Sequence, residues 1–333
     1  MRTRDESRLR STAVAVLGAL ALLFAPPATL AQSGETTSTD AGAEPSQPPW
    51  YDTGHDYVAE RLQRTAKWFD SFFGDPRADL ETDASAYLHV TLDGFFSGVP
   101  DQSDYKVRVR GGADLPHFEN RLRLILTSDA DAALTGRDLA GTTQDETQDT
   151  DSGIGLRYLF RDRPGHKFSL GGGLSGGLSP NVLLAARYRY TRQWSQAAVS
   201  HVAPTLYWKS EDGFGVSTLV DFEWSQDEDT LWRYTLFGDY KEDIRGFYWS
   251  TQGRWARRLD SKSAVGLRGG IKGQTELRDI LEEGWLKILY RRNFLRPWLF
   301  YEVEPGLSWH ESVAYRTEPT LALRLEVQFY RDD

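Results

Sequence analysis

The sequence predicts an all-β fold: a transmembrane antiparallel up-and-down β-barrel of about fourteen strands (twelve as the alternative), preceded by an N-terminal amphipathic helix. Three observations carry this. From Ser85 onward apolar residues recur with a period of two, in runs separated by turn residues. The alternate positions of most runs are ionised, often arginine; a soluble barrel of this size would bury the apolar parity in a lumen too wide for side chains to fill. Aromatic residues sit where runs meet turns. Trp208 and Phe214 flank the Glu211–Gly213 turn, and Trp224 and Trp232 flank the next one. Phe214 and Trp224 share parity at a spacing that spans about 25 Å of height at a tilt of about 40°, the thickness of the apolar band of a membrane barrel.

Composition narrows the function classes. The chain has 333 residues, 13% of them aromatic, no Cys and a formal net charge of −9. Its mean hydropathy of −0.51 excludes a bundle of transmembrane helices, and the aromatic content excludes a disordered chain. The acidic balance argues against a nucleic-acid partner. Without cysteine there are no disulfides, thiolate metal sites, thiol nucleophiles or lipidated cysteine.

The elements follow in order. Arg2, Arg4, Arg8 and Arg10, the apolar run Ala13–Ala25 and the small residues Thr29 and Ala31 describe a secretory signal peptide over 1–31, cut after Ala31. Residues 32–49 are Ser, Thr, Gly, Glu and Pro, a flexible linker. The 50–84 segment carries a helix over Gly54–Phe73. Val58, Leu62, Ala66, Phe69, Phe72 and Phe73 fall on one face, Glu60, Arg64, Lys67 and Ser71 opposite, and Gly74-Asp75-Pro76 ends it. Such a helix plugs the barrel or braces one end.

The barrel occupies 85–333. Its runs lie at 88–92, 105–109, 122–124, 154–160, 168–174, 182–190, 202–208, 214–224, 232–240, 247–255, 265–271, 286–290, 299–309 and 321–329. Those near 171–182 and 281–292 are the faintest. Pro204 and Pro305 fall inside runs with outward parity, where bulges or strand ends are expected. The longest connection, Ser128–Asp151, is rich in Asp and Thr and is expected as a solvated loop at the end opposite the termini, the alternatives being a loop folded into the pore or one that binds divalent cations bridging lipopolysaccharide.

The last run, Leu321 to Phe329, alternates and ends on an aromatic residue. With the leader and the repeated strands it resembles the Gram-negative outer-membrane β-barrel, porin-like class. Tyr330, Arg331, Asp332 and Asp333 follow where that class usually stops. The resemblance implies an outer-membrane location, outer-membrane lipid and lipopolysaccharide as neighbours, and insertion by the outer-membrane assembly machinery.

Inward charges segregate along the chain. Lys106, Arg108, Arg110, Arg121, Arg123, Arg157, Arg187 and Arg189 form a basic wall, with Asp93 nearly alone against them. Asp221, Glu223, Asp239, Glu302, Glu304 and Glu326 lie on later strands, mixed with Arg233, Arg254, Arg268, Lys272 and Arg324. Facing walls of opposite sign suit passive passage of small hydrophilic solutes with a bias toward anionic ones. The competing expectation is a lumen filled by salt bridges, a closed structural or assembly barrel acting through its helix. A lipid-modifying enzyme is the third class. His310 with Glu311, Ser308 and Ser312, and inward His89 and His201, are its few candidates, and neighbours on a strand are weak evidence for a triad. No catalytic residue, metal cluster or cofactor is expected. The strings Gly171–Gly173 and Gly269-Gly270 lack a phosphate loop's Lys-Ser/Thr and following helix, and read as strand glycines at bends or close contacts.

Overall fold

The computed structural model describes residues 62, 64–77, 85–98, 103–115, 121–140, 152–163, 165–176, 180–242, 246–275 and 280–331. The expected leader and linker and Val58 lie outside them. Fourteen strands form the wall: β1 (Ala86–Ser97), β2 (Asp104–Asp114), β3 (Leu122–Thr127), β4 (Gly153–Arg163), β5 (His166–Ser175), β6 (Asn181–Ser195), β7 (Ala198–Lys209), β8 (Gly213–Asp227), β9 (Thr230–Lys241), β10 (Phe247–Arg258), β11 (Ser263–Gln274), β12 (Glu283–Asn293), β13 (Leu299–His310) and β14 (Thr317–Arg331). Each pairs antiparallel with its sequence neighbours, and β1 pairs with β14 to close the barrel. The faint runs are full strands, β5, β6 and β12, so the count is fourteen. Inside the barrel lie helix α1 (64–72) and helix α2 (Ala130–Thr135).

Parity is as the alternation requires. On β1, Leu88 and Leu92 are exposed on the outside while His89 and Thr91 are buried within. The prolines correct an expectation. Neither causes a bulge: pairing of Pro204 with β8 and of Pro305 with β14 is unbroken. On the other side the ladder skips, from Arg187↔Thr205 to Tyr190↔Val202 and from Lys287↔Gly306 to Tyr290↔Val303, with the register unchanged. A missing N–H removes bonds on one side of a strand only, so a locally open ladder suffices. Register shifts occur elsewhere, between Leu159 and Arg161, Gln193 and Ser195, and Ser225 and Asp227. All three sit beside turns at the end that holds the termini.

Candidate functional site

The lumen is occupied from both ends. From the terminal end comes α1, whose apolar face is buried as expected: Leu62, Ala66, Phe69, Phe72 and Phe73. They pack on Leu231, Ala256, Ala264, Leu289 and Phe300, inward residues of five consecutive strands, β9 to β13. Phe72 meets Phe300 edge-to-face with ring centroids 5.5 Å apart, and Trp68 stacks on Phe72 at 4.6 Å. Each large side chain so buried contributes roughly 1.5–3 kcal/mol to docking. Gly74 ends the helix at φ +62°, and a Cβ there would strike the Glu326 carboxylate.

Beyond the apolar seat lies a buried ion cluster. Arg233 holds Asp70 with two bonds of 2.7 and 3.0 Å and Glu223 with one of 2.9 Å. Arg77 pairs with Asp221 at 2.8 Å and with Asp75 at 3.1 Å, and Arg254 reaches Asp75 at 3.4 Å. Four carboxylates thus share three guanidiniums. Burial pushes the Asp70 carboxyl up to about 7, with Asp75 and Glu223 adding to the rise against Arg233. Burial acts on Asp75 too, but Arg77, Arg233 and Arg254 outweigh it and hold that carboxyl well below the usual range.

A pH dependence follows. Asp70 binds its proton more tightly when docked than at its ordinary value of 3.8, so docking takes up a proton. Docking should strengthen as the pH falls from about 7 toward the ordinary carboxylate value and stay flat above about 7. Protease protection of the 64–77 segment, measured against pH, should rise in that window for the native protein. It should lose the dependence in Asp70→Asn.

From the opposite end comes the long connection, and here the structure takes the alternative of a loop folded into the pore over the solvated one. Residues 128–140 fold inward; 141–151 lie outside the described residues. The Asp129 carboxylate accepts from Ala132 N at 2.9 Å to start α2, and Gly136 at φ +84° ends it. A short Ala-rich helix with a cap at each end was hidden by the Asp- and Thr-rich composition around it. Ala130 packs on Leu183, and Leu139 packs on Ala203, Leu219 and Phe237. Gly153 of β4 leaves room for α2, because a Cβ there would collide with the Ala130 methyl and the Leu174 carbonyl. Gly153→Leu should therefore eject α2, and proteolysis of 128–140 on the intact barrel should become fast.

The predicted walls meet these insertions. Arg110 donates to the Gly74 carbonyl at 2.8 Å, and Arg157 donates to the Ala133 carbonyl at 3.1 Å. Arg187 donates to Thr205 at 3.1 Å and lies against Gly136. Arg108 pairs with Asp93 at 2.8 Å and Arg123 with Asp114 at 2.5 Å, while Lys106 and Arg189 are half-buried. Arg121 is corrected: it precedes β3 and stands exposed at the rim. Across the lumen Asp221 takes Arg77, and Asp239 takes Arg137 at 3.2 Å and the Tyr207 hydroxyl at 2.6 Å. Glu302 holds Arg324 at 2.7 Å, and Glu304 holds Arg268 at 2.5 Å and Lys287 at 3.3 Å. The basic wall thus addresses carbonyls of the inserted segments, and part of the acidic wall addresses their arginines. Asp70, Asp75, Arg77 and Asp114 escaped the sequence reading. Asp70 carried a signal, a carboxylate beside Ala66 at the margin of the apolar arc.

Between the two insertions and the wall of β1–β2 and β10–β14 a polar cavity of about 200 Å³ remains. The histidines that were candidates for an enzyme have other partners. His310 Nδ1 accepts from Ser312 N at 3.0 Å and caps a short turn on the exposed rim. His89 lies 2.9 Å from the Tyr330 hydroxyl and 3.2 Å from Arg110, and His201 lies 2.9 Å from Thr191. Among the described residues no His, Asp and Glu group suits a metal ion, and no helix is long and apolar enough to cross a membrane.

No protein-family model matches the chain, and no curated protein matches it. Solved structures do. A KdgM porin in complex with disordered oligogalacturonate is 9% identical, covers 72% of this chain and 99% of its own, and gives a TM-score of 0.36. The NanC porin is 9% identical over 72% of this chain and 98% of its own, at a TM-score of 0.36. OmpT of Vibrio cholerae lacking loop L8, an outer membrane protein, is 10% identical over 73% and 98%, at 0.42.

Proposed function

We propose that the protein is a porin-like outer-membrane channel for small hydrophilic solutes, its bore narrowed by α1 and α2. One observation carries this: the closed barrel is inverted relative to a soluble protein. Its outer surface shows Leu92, Val107, Leu126, Leu156, Leu184, Leu206, Leu236 and Ile288 at 41–61% exposure, while arginines and carboxylates fill the interior. A soluble monomer rarely exposes a contiguous apolar patch beyond a few hundred Å², whereas a barrel in lipid requires one all round. Closure supports the same reading, since it leaves no unpaired sheet edge facing hydrocarbon. Export by a leader cut after Ala31, lipid and lipopolysaccharide contacts and machinery-assisted insertion belong to this proposal. An anionic bias is its weaker part, because Arg108, Arg110 and Arg123 already hold partners.

The test is reconstitution. Purified protein should require detergent for extraction, migrate differently in gels when unboiled, and give small discrete conductance steps in planar bilayers. The ion cluster that clamps α1 favours a second reading, a permanently closed barrel acting through its helix. Protein that inserts and never conducts would establish that reading and overturn the channel.

A further inference from the structure

We infer that the cavity between α1, α2 and the β1–β2 and β10–β14 wall is a subsite for small solutes of no net charge that both donate and accept hydrogen bonds; this rests on the channel reading. Six arginines and six carboxylates among the described residues line it, so its fixed charge is balanced. Its cations are moreover engaged: Arg324 with Glu302 at 2.7 Å, Arg268 with Glu304 at 2.5 Å, and Arg254 with Asp75 at 3.4 Å. An entering ion would have to take one member from such a pair and strand the other in a largely buried position, which is costly. A neutral or zwitterionic solute can bridge both members without separating them.

Guanidiniums donate and carboxylates accept, so this lining asks an occupant for acceptors and donors together. Size sets the upper limit. About 200 Å³ holds roughly seven waters and lies below the roughly 300–1,000 Å³ of pockets for drug-sized ligands. The occupant is the size of one sugar ring or one amino acid.

Swelling of liposomes carrying the full-length mature protein tests this with four solutes of similar size: a hexose, a zwitterionic amino acid, a uronate and a protonated amino sugar. The hexose or the amino acid should enter several-fold faster than either ion, and whichever leads identifies a polyol or a zwitterion as the fitting class. Reversal potentials in a KCl gradient should be near zero. Glu304→Gln, which strips Arg268 and Lys287 of their shared carboxylate, should move selectivity several-fold toward anions and slow the neutral solute. Uronate or amino sugar fastest in the native protein overturns the inference and leaves the channel standing. No swelling with any solute, in the native protein and in protein lacking residues 50–77 alike, overturns both.

Discussion

Removing residues 50–77 should raise single-channel conductance several-fold while the barrel still assembles. Strands about 4.8 Å apart and tilted about 40° close, at fourteen, on a backbone diameter of roughly 28 Å, and inward side chains leave roughly 16 Å. A helix with its side chains is about 10–12 Å across, so α1 alone takes about half of that section. Barrels of 16–18 strands carry aqueous channels and those of eight are filled by side chains; fourteen strands are wide enough to conduct unless something is put inside. The wall does not depend on α1, because all fourteen strand pairings are made without it. Planar-bilayer recordings of native and deleted protein check the result, with heat-modifiable gel migration showing that both are folded. Equal conductance in the two would mean that α1 does not limit the bore.

How much of this was legible beforehand depends on whether a feature is periodic. All fourteen runs became strands, because closure forces every strand to alternate and leaves no edge at which the pattern could lapse. The α1 stripe was legible for the same reason, and its five described members are all buried. What lay hidden has no period. The inward fold of 128–140 depends on two caps and on an inward glycine of β4 that admits the Ala130 methyl. Arg77 stands alone in a segment with no pattern at all. Its role appears only when β8, β9 and the Leu139 carbonyl are brought around it, residues 62 to 158 positions away in sequence. Sequence parity assigned the signs of the walls and was silent on what stood between them, so the basic wall looked available to anions when much of it holds the insertions in place.

Arg77→Met should loosen both insertions at once. This guanidinium is where the parts meet: it pairs with Asp221 of β8 at 2.8 Å and with Asp75 after α1 at 3.1 Å, and its Nη2 donates to Leu139 O of the inserted loop at 2.7 Å. Methionine keeps most of the volume and removes every one of these bonds. Asp221 then retains the Thr235 hydroxyl at 2.6 Å, and Asp75 retains Arg233 and the more distant Arg254, so two buried carboxylates lose their nearest cation. Truncating one partner of a buried pair costs about 3–5 kcal/mol, largely through the charge left behind. That is comparable with burying two or three of the α1 side chains, at roughly 1.5–3 kcal/mol each. Conductance of Arg77→Met should therefore approach that of the 50–77 deletion, with 64–77 and 128–140 both open to protease. Adding Asp221→Asn removes the stranded charge and should restore much of the protection, a coupling that mere loss of volume at position 77 would not produce. If the double variant is no better protected than the single one, the arginine is a packing residue and the two insertions are held independently.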